Sequence, residues 1–162
     1  LNDMRFSYPL QQGGVEDKAL VKAYSDDFFA EIVYKKKTMP HAVEALEYLS
    51  SKYNLYILSN GFRELQEQKM RSAGVDKYFK KVVLSEDIGV HKPFPEIFYF
   101  AMSATQSELH TSLMIGDNWE NDIAGAKDAG LGQVFYNVKK TTKFSFQPTG
   151  IIEDWNEIGK IL

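Results

Sequence analysis

"LMIGDNWENDIAGAKDAG", Leu113 to Gly130, is an apolar run that stops at Gly116, sets Asp117 beside it, places Asp122 five residues later and continues with helical spacing. That order reads as a buried strand that turns at its carboxyl end and enters a helix closed by Gly130. An aspartate at the end of a buried strand is penalised by desolvation unless a cation or several donors meet it. Two carboxylates with little histidine suit a hard cation, and Mg²⁺ takes few carboxylates, several waters and a phosphate oxygen. The plain alternative, Asp117 as a helix cap and Asp122 as a surface acid, stays open on these residues alone. Glu120 and Asn121 are expected to face solvent. Trp119 reads as a surface or interface aromatic, with packing at the mouth of a site as the alternative.

Working outward, the same alternation recurs. "NLYILSNG" is a short apolar run ending in small polar residues, a buried strand reaching a loop, and "FRELQEQKMRSAG" is a helix closed by Gly74. "KKVVLSEDIGVHKP" gives a second strand and a loop, and "FPEIFYFAMSAT" a helix. Beyond Gly130, "GQVFYNV" reads as a strand, "TGIIED" as a last short one and "WNEIGKIL" as a terminal helix. Towards the amino terminus, Val15 to Lys36 reads as one or two helices. "TMPHAVEALEYLSSKY" reads as a helix with Pro40 in its first turn and Ala42, Leu46 and Leu49 on one face. Strands alternating with helices at these spacings predict an α/β domain with a parallel, doubly wound sheet, in which ligands bind beyond the carboxyl ends of the strands.

That rule gathers three polar groups at one edge. Ser59, Asn60 and Gly61 form a strand-to-helix turn where N–H groups and side-chain donors converge on an anion, although simple helix capping explains Ser59 and Asn60 equally well. Lys92, just before Pro93, offers a compact ammonium suited to phosphate or carboxylate; alone it reads as a surface lysine. Asp117 and Asp122 complete the set. Two donors, one ammonium and one Mg²⁺ would offset the charge of a phosphomonoester dianion, whose hydrolysis is so slow uncatalysed that enhancements reach ~10²¹-fold.

Bulk properties exclude other classes. With 162 residues, 44% apolar and 14% aromatic, the chain fits one compact domain with a real core. Lys and Arg number 19 against 22 acidic residues, a net charge of −3 without long blocks, which argues against nucleic acid or an anionic membrane as partner. The chain has no cysteine, which excludes thiolate chemistry, and its three histidines, His41, His91 and His110, are dispersed, which argues against an all-protein histidine metal cage. No apolar stretch approaches the roughly 20 residues of a membrane span. No secretory leader is legible either, and a cytoplasmic location is expected. Neither G-x-G-x-x-G nor G-x-x-x-x-G-K-[ST] occurs.

"LSNG", "HKP" and "GDNWENDIAGAKDAG" together resemble the second, third and fourth motifs of the haloacid dehalogenase superfamily, in its phosphatase branch with a helical cap, near the nucleotidase-like members. The resemblance implies a Rossmann-like core over residues 38–162 and the tail of a helical cap over residues 1–37. It implies that Ser59 and Asn60, with Gly61, hold the transferring phosphoryl group and that Lys92 steadies it and the attacking carboxylate. Asp117 is then the Mg²⁺ ligand, and Asp122 supports the metal shell and the lysine. A small phosphorylated metabolite or nucleoside monophosphate is the implied substrate.

The family's first motif, Asp-x-Asp-x-Thr, is missing: "LNDMRF" carries a lone aspartate with no second one two residues on. The missing strand belongs between those ending at Asn60 and Asp117, so both are expected to lose a neighbour. The chain opens on Leu1 rather than Met, and the expectation is of a fragment of a longer enzyme, inactive by itself. Rival readings are a metal-independent haloacid dehalogenase, a phosphomutase and a non-catalytic binding module on the same fold. A signalling receiver domain is disfavoured because its acids precede its lysine in the chain.

Overall fold

The computed structural model describes residues 4–162, with side chains from Phe6 onward, so the lone aspartate of "LNDMRF" lies outside the described residues. Two helices come first, α1 (Met4–Gln12) and α2 (Lys18–Val33). Asp17 caps α2 by accepting from the N–H groups of Ala19 and Leu20 at 2.8 and 3.1 Å. Phe6 packs on Tyr24 and Phe28 of α2, with ring centroids 6.1 and 5.6 Å away, and α2 in turn contacts the helix that follows the first strand. Residues 15–36, read as one or two helices, form one.

The next helix, α3 (Ala42–Lys52), starts later than Pro40 suggested. Pro40 and His41 form a turn closed by Ala42 N–H on Met39 O at 3.2 Å, with His41 at φ 57° as the helix's amino-terminal cap. Its buried stripe contains Ala45 and Leu49. Strand β1 (Leu55–Ser59) leads into α4 (Arg63–Ala73), which ends as expected at Gly74, in the left-handed conformation at φ 69°. After β2 (Phe79–Leu84) and a short 3₁₀ turn at Ser85–Asp87 come α5 (Pro95–Thr105) and β3 (Leu113–Gly116). Strands β4 (Gly132–Tyr136) and β5 (Gly150–Ile152) follow.

Two expected helices differ in kind. The stretch after β3 is a π-helix over Trp119–Ala124 that passes into a single α-turn, α6 (Gly125–Asp128). The terminal "WNEIGKIL" forms a 3₁₀ segment, Trp155–Lys160, locked by reciprocal capping between Asp154 and Glu157.

All strand pairs are parallel, but they make two sheets where one was expected: β1 with β2, and β3 with β4 and β5. The sequence reading lacks a strand between β1 and β3, and among the described residues each of these two has one open edge. Both faces are covered, as in a doubly wound fold. Ala45 and Leu49 of α3, with Ile158, pack on Val134, Tyr136 and Ile152, whereas Ile97, Phe98, Ala126 and Ala129 from α5 and the region of α6 meet Leu58 and Met114 on the other face. Because β4 has neighbours on both sides, Gln133 through Tyr136 are buried. β1 and β3, read from the sequence as buried, are only half-buried, since among the described residues each pairs along one edge alone.

Candidate active site

Parallel pairing carries the ends of β1 and β3 to the edges of their sheets, and the loop after β2 comes to lie against both. Lys92 of that loop makes the connection. Its Nζ donates to Leu58 O of β1 at 2.8 Å and to Asp122 Oδ1, in the π-helix after β3, at 2.6 Å. The Lys92 and Asp122 side chains are only 9% and 8% exposed, so the pair is a buried one. The other carboxylate oxygen of Asp122 accepts from Asn118 N–H at 3.0 Å. Both oxygens are therefore fixed, as a buried carboxylate requires.

Two glycines let this happen. A Cβ on Gly116 would fall on the Asp122 carboxylate, so only glycine allows that side chain to lie against the strand end. A Cβ on Gly125 would meet Pro93 Cα and O at 2.9 Å and Phe98 Cε2 at 3.0 Å, so the missing side chain brings α6 onto the Lys92–Pro93 loop. The peptide bond between Lys92 and Pro93 is cis. At the head of the π-helix, Asn118 O accepts from both Asp122 and Ile123 N–H, at 2.9 and 3.4 Å. The second of these is the wider i→i+5 closure.

Asn60 ties the lysine loop to β1 by a route the sequence did not suggest. Its Oδ1 accepts from Lys92 N–H at 2.8 Å and its Nδ2 donates to Lys92 O at 3.0 Å, so the amide forms a two-point splint on the Lys92 backbone. Ser59 Oγ accepts from Gly61 N–H at 3.1 Å and from Gln66 Nε2 at 2.7 Å. A third tie runs from the start of α4 to the turn after β2. Arg63 N–H donates to Glu86 Oε1 at 3.0 Å, and its guanidinium donates to Asp87 Oδ1 at 2.6 Å. The Leu84 N–H on Asp87, and after it the Arg63 guanidinium, hold the Asp87 carboxyl below its ordinary value. Arg63, Gln66 and Glu86 escaped the sequence reading; Gln66, seven residues after Ser59 in the first turns of a helix, was the one with a usable spacing.

Asp117 differs from the expectation of a desolvated carboxylate. It is exposed, because β3 ends at an open edge, and it makes no side-chain hydrogen bond among the described residues. No group of three or more His, Asp or Glu among the described residues could hold a metal ion. The donor set thus offers one free carboxylate beside one already braced by a lysine, which fits an ion that keeps waters and takes phosphate oxygens, and fits no all-protein cage. Glu120 is exposed as expected, and Asn121 is half-buried with its N–H on Asn118 Oδ1 at 2.8 Å. Trp119 is an inner member of an aromatic cluster, with ring centroids 5.3, 5.0 and 4.8 Å from Phe135, Phe144 and Phe146. His91 is exposed beside the site, while His41 and His110 pair with Asp154 and Glu108 elsewhere.

These features define a class. A family model of haloacid dehalogenase-like hydrolases matches residues 7–130, and the chain belongs to that family. It is 35% identical over 118 residues to pyrimidine 5'-nucleotidase YjjG of Escherichia coli, covering 72% of this chain and 51% of that protein. It is 30% identical over 129 residues to phosphoserine phosphatase of Thermus thermophilus, covering 77% of this chain and 49% of that protein. A crystal structure of YfnB from Bacillus subtilis, grouped with the HAD hydrolases and bound to magnesium, superposes with a TM-score of 0.89 at 28% identity, covering 98% of this chain and 69% of that one. The chain spans about half the length of the curated relatives it matches. Among the described residues no helix is long and apolar enough to cross a membrane.

Proposed function

We propose that this site serves Mg²⁺-dependent hydrolysis of phosphomonoesters, small phosphorylated metabolites or nucleoside monophosphates, through a phosphoaspartyl intermediate in the full-length protein. The observation that carries the reading is the Lys92 ammonium, buried between the main chain of β1 and Asp122 beside β3. That contact ties the strand that ends in the Ser59 turn to the helix that begins two residues after Asp117. In this reading the Ser59 hydroxyl and the Asn60 N–H hold phosphoryl oxygens, while Gly61, whose N–H is spent on Ser59 Oγ, shapes the turn that presents them. Lys92 neutralises charge on the phosphoryl group and the attacking carboxylate, Asn60 keeps the Lys92 backbone in place and Asp122 keeps its ammonium aimed. Asp117 would hold Mg²⁺, which when bound supplies charge neutralisation at the phosphoryl oxygens.

The sequence has no Asp-x-Asp, so the nucleophile and general acid come from a strand outside this chain, inserted between β1 and β3. Helices α1 and α2 are the tail of the cap, residues 1–37, over a core of residues 38–162, and the working location is cytoplasmic. A second reading, a non-catalytic binding module, is favoured by the same missing motif.

Intact mass and phosphate release separate the two. The natively expressed protein should exceed 18.5 kDa, carry Asp-x-Asp ahead of Leu1 and release phosphate from phosphomonoesters until a chelator is added, while the 162-residue chain alone should release none. Chelator-insensitive release, or release by the short chain, would overturn the proposal. A native mass equal to this chain would favour the binding module.

A further inference from the structure

Ser59 Oγ is the atom whose surroundings say most about what the site prefers. A hydroxyl oxygen has two lone pairs and one hydrogen. Here both lone pairs meet N–H donors: Gly61 N–H at 3.1 Å and the Gln66 side-chain amide at 2.7 Å. The Asn60 amide does not share this task, because its Oδ1 and Nδ2 are engaged on the Lys92 backbone. Gln66 is half-buried, and a Cβ on Gly61 would touch its Nε2 at 2.5 Å. The glycine therefore makes room for this amide to lie over the turn. With both acceptor positions filled, the only hydrogen-bonding capacity Ser59 has left is its own hydrogen.

We propose that Gln66 is a positioning residue that commits the Ser59 hydroxyl to donation and thereby tunes the site to the dianionic form of a phosphate group. This rests on the phosphate-site reading above. A dianionic oxygen only accepts, and it matches a donor-only hydroxyl. The monoanion still has two oxygens that accept, but its P–OH finds no acceptor at Ser59, so fewer of its orientations fit the site. Without Gln66 the hydroxyl regains a free lone pair and serves either form.

The test is binding of methyl phosphate, whose dianion carries no P–OH, with Mg²⁺ to the 162-residue chain, followed by ³¹P NMR below and above the second ionisation of the ester. The readout is the ratio of affinities at the two pH values, which a merely structural role would leave constant. The parent chain should favour the dianion. Gln66→Met, neutral and close in shape, should lower the ratio by about threefold, and Gln66→Glu, which accepts where the amide donated, by about tenfold, with the effect persisting at high salt, where simple charge repulsion is screened. A Gln66→Met chain that loses affinity equally at both pH values overturns the proposal and leaves the functional reading standing. So does a Gln66→Glu chain that matches the parent, since Ser59 would then be donating to the Gln66 carbonyl. Absence of methyl phosphate binding by the parent chain overturns the functional reading, and this proposal with it. The Gln66 side-chain ¹⁵N–¹H resonances give an independent check: they should move in Ser59→Ala, and unmoved resonances count against the contact.

Discussion

The two sheets are built from similar apolar strands, yet β4 is buried from Gln133 to Tyr136 while β1 is half-buried along its whole length. The difference lies in neighbours. β4 has a hydrogen-bonded strand on each side, whereas among the described residues β1 has β2 alone and β3 has β4 alone. Backbone groups at an open edge need partners. Lys92 supplies one, by donating to Leu58 O, and its other contact, Asp122, belongs to the opposite sheet's strand end. What joins the halves at the site, beside the apolar cluster that Leu58 and Met114 share, is therefore a polar contact from the Lys92 loop to β1 and to the π-helix after β3, and it places an ammonium and a carboxylate there.

The comparison can be broken most severely at that lysine. Lys92→Met leaves the Asp122 carboxylate buried without its cation, and a loss of about 3–5 kcal/mol in urea unfolding is expected; a loss under about 1 kcal/mol would mean the halves do not depend on it. Asn60→Ala removes the splint on the Lys92 backbone and should cost about 1–3 kcal/mol, because two main-chain groups lose their partners.

Asp87→Asn sharpens the contribution of the β1–β2 side. Asp87's carboxyl is held low by the Leu84 N–H and by Arg63, so its stabilisation is present above the ordinary carboxylate pKa of about 4 and is lost as pH falls through the lower folded value. The variant should be less stable at neutral pH by about 1 kcal/mol, allowing for partial exposure, and should lose less stability on acidification than the parent. Acid titrations followed by circular dichroism would check both. The smallest effect is expected at Asp117. Because it is exposed at an open strand end, Asp117→Asn should change stability by no more than about 0.5 kcal/mol while abolishing any Mg²⁺-dependent gain in phosphate affinity measured by calorimetry.

How much of this was legible depends on how local each signal was. Ser59–Gly61 and Asp117 stood out because each sits at the end of an apolar run, Lys92 because it precedes Pro93 at the start of a helix, and Asp122 because it follows Asp117 by five residues, patterns visible within a few residues. Gly74 at the end of α4 was legible for the same reason, since the left-handed cap is a local demand. The role of the Asn60 side chain was not, because its partner lies 32 residues away and nothing near Asn60 distinguishes a splint from a free amide. The clamp of Arg63 on Glu86 and Asp87 spans 23 and 24 residues and was invisible likewise. The π-helix at Trp119–Ala124 is too short for its spacing to be told from an α-helix by apolar period. Asp117 was expected to be buried because apolar composition was read as burial, and composition does not report whether a strand has neighbours on both sides.

The most direct test of the joined halves is a double-mutant cycle on Lys92→Met and Asp122→Asn, measured by urea unfolding. Each single variant strands one member of the pair, so the double variant should be more stable than the sum of the two losses predicts, by about 1–3 kcal/mol. Losses that add to within about 0.5 kcal/mol would show that the two side chains act independently, and that Lys92 does not hold the Ser59 strand to the Asp117 side of the site.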